Sequence, residues 1–262
     1  IECLERSLAL YTYFNKNDSI PILLLNCGMA YRAVGNYAAA EKSYINALEI
    51  WRKEGNLAWQ AVVLNNLGFL YHNIMGEYEK ANLSMQEGLT CANRCRYLHT
   101  EALISISMGD LYTELDEFQG AHHSYEQAEV IAREIDDRFL LNYLPLAKAS
   151  LLLRQGDTDQ AEQLLNEVWP AIDASASQYE LGLWSLQRGR LFLIKGETHT
   201  SIKLFVEAER CFTEDGRELE MLWSRVWLAA ALSSAGEADV VQKFKGLLAG
   251  GGNVSHALVA AV

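Results

Sequence analysis

Proline is nearly absent from this chain. Pro21, Pro145 and Pro170 are the only three in 262 residues, about 1% where an average chain has about 5%. Proline removes a backbone donor and clashes with the preceding turn, so a chain this poor in it can be helical almost throughout. Long apolar runs are missing too: none reaches the roughly 18 residues that a membrane-crossing helix needs. Positive charge is scarce, with 22 Lys and Arg against 34 Asp and Glu and a net charge of −12. No basic face is available for phosphate, which argues against direct nucleic-acid binding. The same acidity would weakly repel an anionic membrane. The five cysteines, Cys3, Cys27, Cys91, Cys95 and Cys211, are odd in number and form no CxxC pair. That usage fits a reducing, cytoplasmic setting. No signal peptide is apparent; with Ile1 first and Leu4–Leu10 already reading as helix, the chain reads as cut from a longer protein.

Reactive motifs are equally scarce. The sequence has no phosphate-binding GxxxxGK[ST] loop, no HExxH and no GxSxG elbow. Cys91, Cys95 and His99 are spaced by four, but a joint between helices is expected near residues 93–97 and a fourth ligand is missing, so they read as ordinary cysteines rather than a zinc site. His122 and His123 are neighbours on one helix and point about 100° apart, which suits solvent better than chelation. Neither a catalytic residue nor a metal or other cofactor is expected, and the chain reads as a non-enzyme.

What the sequence does contain is a repeat. Small residues stand at Gly28, Gly68, Gly109, Ala149, Gly189 and Ala229, separated by 40, 41, 40, 40 and 40 residues. Three positions after each comes a large apolar residue: Tyr31, Tyr71, Tyr112, Leu152, Phe192, Leu232. A turn residue follows, Gly35, Gly76, Asp116, Gly156, Gly196 or Gly236. The second repeat reaches its turn one residue late. Beyond the turn a second stripe appears: Ala40, Ala81, Ala121, Ala161 and Ser201, with Val241 breaking the rule. It continues with Tyr44, Met85, Tyr125, Leu165 and Phe205, then Ala47, Gly88, Ala128, Val168 and Ala208. Spacings of three and four give each segment one apolar helical stripe. The unit is therefore a helical hairpin whose small anchor lets its two helices approach. One hairpin cannot bury its own stripe, so neighbours must stack. The expected fold is all-α: an α-solenoid, a right-handed superhelix of tandem hairpins.

LNNLGFLY at 64–71 with Tyr78 and Ala81, CGMAY at 27–31 with Tyr37, Ala40, Tyr44 and Ala47, and MGDLY at 108–112 with Phe118, Ala121 and Tyr125 resemble the tetratricopeptide repeat. Repeats four to six are degenerate. The usual period of that family is about 34 residues; the longer one here resembles the arrays of large bacterial LuxR-type, ATP-dependent transcriptional activators, the family of the maltose-regulon activator. It also resembles the arrays of peptide-responsive regulators and of scaffold proteins. Residues 1–15 read as the second helix of a truncated repeat, 20–249 as six hairpins, and 250–262 as a flexible linker and tail. Pro145 falls inside a first helix, so a kink or a shifted helix start is expected near Tyr143–Leu146.

The resemblance implies a groove on the first helices, two to six positions before and one to five after each anchor. The candidates there are Asn26, Met29, Arg32, Asn65, Asn66, Phe69, His72, Asn73, Asp110, Glu114, Arg154 and Arg190. Asn26 and Asn66 are equivalent, and amides one repeat apart could bond an extended peptide backbone. Leu146, Leu153 and Leu186 add apolar groups to the same face. The basic clamp that grips chaperone tails is absent. Most tryptophans read as packing between repeats, with Trp223 phased toward the groove. The expected partner is a protein or peptide, with a small effector molecule or self-association as further options. The implied role is the sensor or interaction module of a bacterial transcriptional regulator, or a scaffold without signal output.

Overall fold

The structure, a computed structural model, describes residues 1–14 and 17–236. Sequence expectations for 237–262, including the second helix of repeat six and the linker and tail, lie outside the described residues. Twelve α-helices follow one another among the described residues, with no strand. They are α1 (Glu2–Tyr13), α2 (Ile20–Ala33), α3 (Tyr37–Glu54), α4 (Leu57–Leu70), α5 (Tyr78–Cys95), α6 (Leu98–Glu114), α7 (Phe118–Glu134), α8 (Arg138–Gln155), α9 (Thr158–Ser175), α10 (Gln178–Ile194), α11 (Thr198–Glu214) and α12 (Glu218–Ser234). From α2 onward each even-numbered helix carries an anchor, and α2, α4, α8 and α10 each pair with the helix after it. The fold is an all-α helical-repeat solenoid. The chain divides into two compact units, with the boundary between Leu111 and Tyr112.

The hairpins close where the sequence places left-handed residues. Gly35, Gly76, Asp116, Gly156, Gly196 and Gly236 all have positive φ, as do the joints between hairpins at Gly55, Arg96, Asp136, Ala176 and Gly216. Glycine adopts that conformation without a Cβ penalty. The next helix often starts on a side-chain cap. Asn36 Oδ1 accepts from Ala39 N–H at 3.3 Å, Asp137 Oδ1 from Leu140 N–H at 3.1 Å, and Asp157 Oδ1 from Gln160 N–H at 3.1 Å. Arg96, in the joint, ends α5 just after Cys95, so Cys91 and His99 stand on different helices.

In the first unit the anchors meet large side chains. A Cβ at Gly28 would lie 2.4 Å from Tyr44 Cε1, and one at Gly68 would lie 2.6 Å from Met85 Cγ. Tyr44, Met85, Ala40 and Ala81 are fully enclosed. Trp51 is buried and stacks on Trp59 at 5.2 Å between ring centroids, linking α3 to α4. Helix α1 buries no residue, and its Tyr13 is 80% exposed. The late turn of repeat two has a visible cause: Tyr71–Met75 form a π-helical turn that absorbs one extra residue.

The second unit builds the same hairpin from other residues. Ala149 packs in one cluster with Leu165, Val168 and Leu191. A Cβ at Gly189 would lie 2.6 Å from Phe205 Cε1, and one at Gly182 2.7 Å from Phe212 Cε1. Pro145 does not shift the start of α8, which begins at Arg138 and runs unbroken to Gln155. Its ring occupies the place of one backbone donor, while the buried Leu144, Leu146 and Ala149 on either side hold the helix in its core.

Candidate binding site on the first helices

The anchors set the face. With Gly28, Gly68, Ala149 and Gly189 turned against the second helix of their own hairpins, residues two before and one after them fall on the other side of the first helix. In the first unit this side is open in places. Asn26 is exposed, Met29 is 45% exposed, and Phe69 is half-buried. The Arg32 guanidinium lies over the Phe69 ring, 4.8 Å from its centroid, a cation–π contact between successive repeats. Arg32 Nε is enclosed without a partner.

The amides behave differently from one another. Asn66 Nδ2 donates to Val62 O on its own helix at 2.9 Å, and Asn73 Nδ2 donates to Phe69 O at 3.4 Å. These groups are spent locally, which leaves Asn26 without the equivalent peptide-bonding neighbour expected at Asn66. Asn65 Oδ1 is enclosed with no partner. His72 is only 2% exposed, and its ring centroid lies 6.0 Å from that of Tyr78. It supports the hairpin rather than lining an accessible surface. The reason is the π-helical turn: a residue in it advances less around the helix axis, so the phase counted from Gly68 fails from Tyr71 onward.

Three apolar residues counted toward the groove, Leu146, Leu153 and Leu186, are core, exposed by 2%, 4% and 4%. Leu146 and Leu153 pack with Leu165, and Leu186 packs with Phe205. Asp110 and Glu114 are half-buried near the end of α6.

In the second unit the polar candidates converge on arginines. Arg154 is exposed; its Nε donates to Asp116 Oδ1 at 2.6 Å and its Nη2 to Glu114 O at 3.0 Å. The guanidinium holds the Asp116 carboxyl below the usual carboxylate range. Arg190 is half-buried. Its Nη1 donates to Ser150 Oγ and to Gln187 Oε1, both at 2.7 Å, and its guanidinium lies 4.8 Å from the centroid of Trp227. Burial first, and the nearby charge of Arg154 second, lower its pKa to about 10. Trp223, one turn before Trp227, has its Nε1 enclosed without an acceptor. Ser150 and Gln187 were not singled out in the sequence, and Trp227 was read with most tryptophans as packing between repeats. The register contains them all the same, because Ser150 and Arg190 each follow an anchor by one residue while Gln187 and Trp227 each precede one by two.

Outside this face little else gathers reactive groups. His122 and His123 are exposed, and no cluster of three or more His, Cys, Asp or Glu able to hold a metal occurs among the described residues. No helix among them is long and apolar enough to cross a membrane. Glu207 and Glu209 are half-buried and paired with Arg210 and Arg225 at 2.6 and 2.7 Å.

Residues 19–94 match the tetratricopeptide repeat family model. A comparison with curated proteins finds no match. Among solved structures, the chain is similar to BtubC (BKLC) from P. vanneervenii at 15% identity, covering 82% of this chain and 92% of that one with a TM-score of 0.58. It is also similar to PilW, a widely conserved type IV pilus biogenesis factor, at 16% identity, covering 92% of this chain and 98% of that one with a TM-score of 0.56. At such identities the likeness is one of fold. The matched family is one whose repeats generally mediate protein–protein interaction.

Proposed function

We propose that the chain is a non-catalytic binding domain that takes a protein or peptide along the first helices of its hairpins. The observation that carries this reading is the set of side chains on that face that packing leaves unused: exposed Asn26 and Met29 on α2, beside half-buried Phe69 on α4. An apolar surface dotted with a few polar groups suits an extended or helical peptide. Within that reading, the 40-residue period supports a sensor or interaction module of a bacterial LuxR-type regulator, working in the cytoplasm, with occupancy reported to modules elsewhere in the parent protein. A scaffold role without signal output uses the same face.

Random peptides selected by display against the domain test the binding reading. Their affinity should fall with Met29→Glu and with Phe69→Glu and persist with Leu83→Glu, which alters an exposed second-helix residue of the same unit. Selected peptides that ignore Met29 and Phe69, or a selection that yields none, would overturn it. The parent gene decides the finer role. A nucleotide-binding module before this segment or a DNA-binding module after it supports the regulator, and the absence of both supports the scaffold.

A further inference from the structure

Phe139 and Tyr179 each precede an anchor by ten residues. That puts them in the first turns of α8 and α10, at the joints between hairpins and away from the positions two before and one after the anchors. Rings at the same point of successive repeats meet: their centroids lie 6.2 Å apart, with planes 24° from parallel. Tyr143, one turn further along α8, adds a third ring 6.0 Å from Phe139. Phe139 nevertheless stays 41% exposed, apolar area that packing has not removed from water.

The Tyr179 end of this row shows what the rings accept. Tyr179 is fixed by the fully enclosed Phe212, edge-on at 6.1 Å, and its hydroxyl donates to Glu220 Oε1 at 3.4 Å. The Arg217 guanidinium lies over the Tyr179 ring, 4.6 Å from its centroid, with its Nε donating to Asp215 Oδ2 at 2.8 Å. Phe139 carries no such cation among the described residues.

The surroundings are acidic. Segments 133–140, 173–180 and 213–220, which contain the three joints, carry nine acidic side chains and three basic ones. Of the basic three, Arg133 and Arg217 are already paired with Glu129 and Asp215, leaving Arg138. Glu134, Asp136, Asp173 and Glu218 are exposed and make no ion pair among the described residues. Glu180, next to Tyr179 in the chain, is only 4% exposed and has an amide in place of a cation: Asn142 Nδ2 donates to its two oxygens at 3.4 and 3.3 Å. Enclosing a carboxylate without a counter-charge is costly, and a cation brought to this edge lowers that cost.

We propose that the joint edge of the second unit is a docking surface for an arginine-bearing basic segment of a protein partner, with a guanidinium stacked on Phe139 and the carboxylates around it attracting the charge. This surface is separate from the first-helix face and does not depend on the peptide reading given above. The rings specify arginine over lysine, because a planar guanidinium stacks on an aromatic face while an ammonium is compact and more strongly hydrated. The carboxylates steer the approach and add affinity that salt screens.

The test titrates the domain with acetylated, amidated oligoarginine, oligolysine and oligoglutamine while following backbone amides by NMR. Oligoarginine should give saturable shifts concentrated in the first turns of α8, α10 and α12. Oligolysine should bind more weakly, and oligoglutamine should shift nothing. Phe139→Ala should weaken oligoarginine by about twofold to fivefold and remove its advantage over oligolysine. Phe139→Leu, which keeps apolar bulk without a ring, should do the same at an unchanged melting temperature. Asp136→Asn, at a left-handed position that asparagine accepts, should also weaken binding. Glu126→Gln, on an exposed stretch of α7, should not. Equal affinity for oligoarginine and oligolysine would reduce the surface to unspecific charge and overturn the proposal. So would shifts spread over all acidic faces, no shifts at all, or a Phe139→Leu variant that binds like wild type. Display-selected peptides that ignore Met29 and Phe69 would overturn the first-helix reading and leave this one standing.

Discussion

Before Leu111 the hairpins are closed by glycine against tyrosine or methionine; after Tyr112 the same closure is made by alanine against leucine or glycine against phenylalanine. The family model matches only 19–94, yet helical hairpins continue to the end of the described residues. The difference teaches that the hairpin demands a small residue opposite a large one at a fixed distance from a turn, and is tolerant about which. The units also differ in electrostatics. Asp116, Glu129, Glu162 and Glu207 in the second unit are carboxylates held below their usual range, each beside an arginine or lysine. Each unit nevertheless keeps a half-buried arginine against an aromatic ring of the following repeat with no carboxylate partner among the described residues: Arg32 on Phe69 and Arg190 on Trp227.

The sharpest test of equivalence removes the large partner from each unit. Tyr44→Ala and Phe205→Ala should each cost about 3–5 kcal/mol of unfolding free energy, read by denaturant titration with hydrogen exchange to localise the loss. A much smaller cost for Phe205→Ala would show that the second unit is loosely packed and break the comparison. Filling the anchors comes next. Gly28→Leu should cost about 1–3 kcal/mol or somewhat more, and Gly68→Leu less, because the flexible Met85 can yield where the Tyr44 ring cannot. Equal costs would mean that the backbone, not the side chain, absorbs the strain. The caps come third: Asn36→Ala and Asp137→Ala should each cost about 1 kcal/mol, with the exchange of the first turns of α3 and α8 speeding up.

Acid should separate the units by the smallest margin. A carboxylate whose folded pKa is depressed stabilises the fold above its unfolded pKa, about 4. That stability is lost as pH falls through the lowered folded value. Amide protection should therefore fall further in 112–236 than in 1–111 when pH drops from neutral to below about 4. Salt should shrink the difference, since these pairs are largely exposed. Equal losses would mean that the pairs add no net stability.

Anchors, turn residues and stripes were legible in the sequence because each reflects a local steric demand. Six turn residues predicted from spacing all have positive φ, and the 41-residue step appears as the π-helical turn. Counting from anchors failed where the count itself changes. His72 turned inward because the π-helical turn altered its phase, and Leu146, Leu153 and Leu186 entered the core because the buried stripe of α8 and α10 is wider than that of a sparsely apolar helix. Of the kink or shifted helix start expected at Pro145, the shifted start does not occur, since α8 begins at Arg138 and carries Pro145 in its interior. Arg190 was marked as a groove candidate by its register alone.

The amino-acid sequence by itself determined that this chain is helical, that it folds in hairpins of about 40 residues, and where each hairpin turns. Those properties depend on residues a few positions apart, which helix geometry and left-handed turns constrain directly. Only the tertiary structure decided which cations find carboxylates. Arg188 and Arg190 are two residues apart on one helix, yet one faces Glu162 and Asn166 while the other meets Ser150, Gln187 and Trp227. Charge compensation depends on what neighbouring repeats bring to the same point, and that is settled when the hairpins pack.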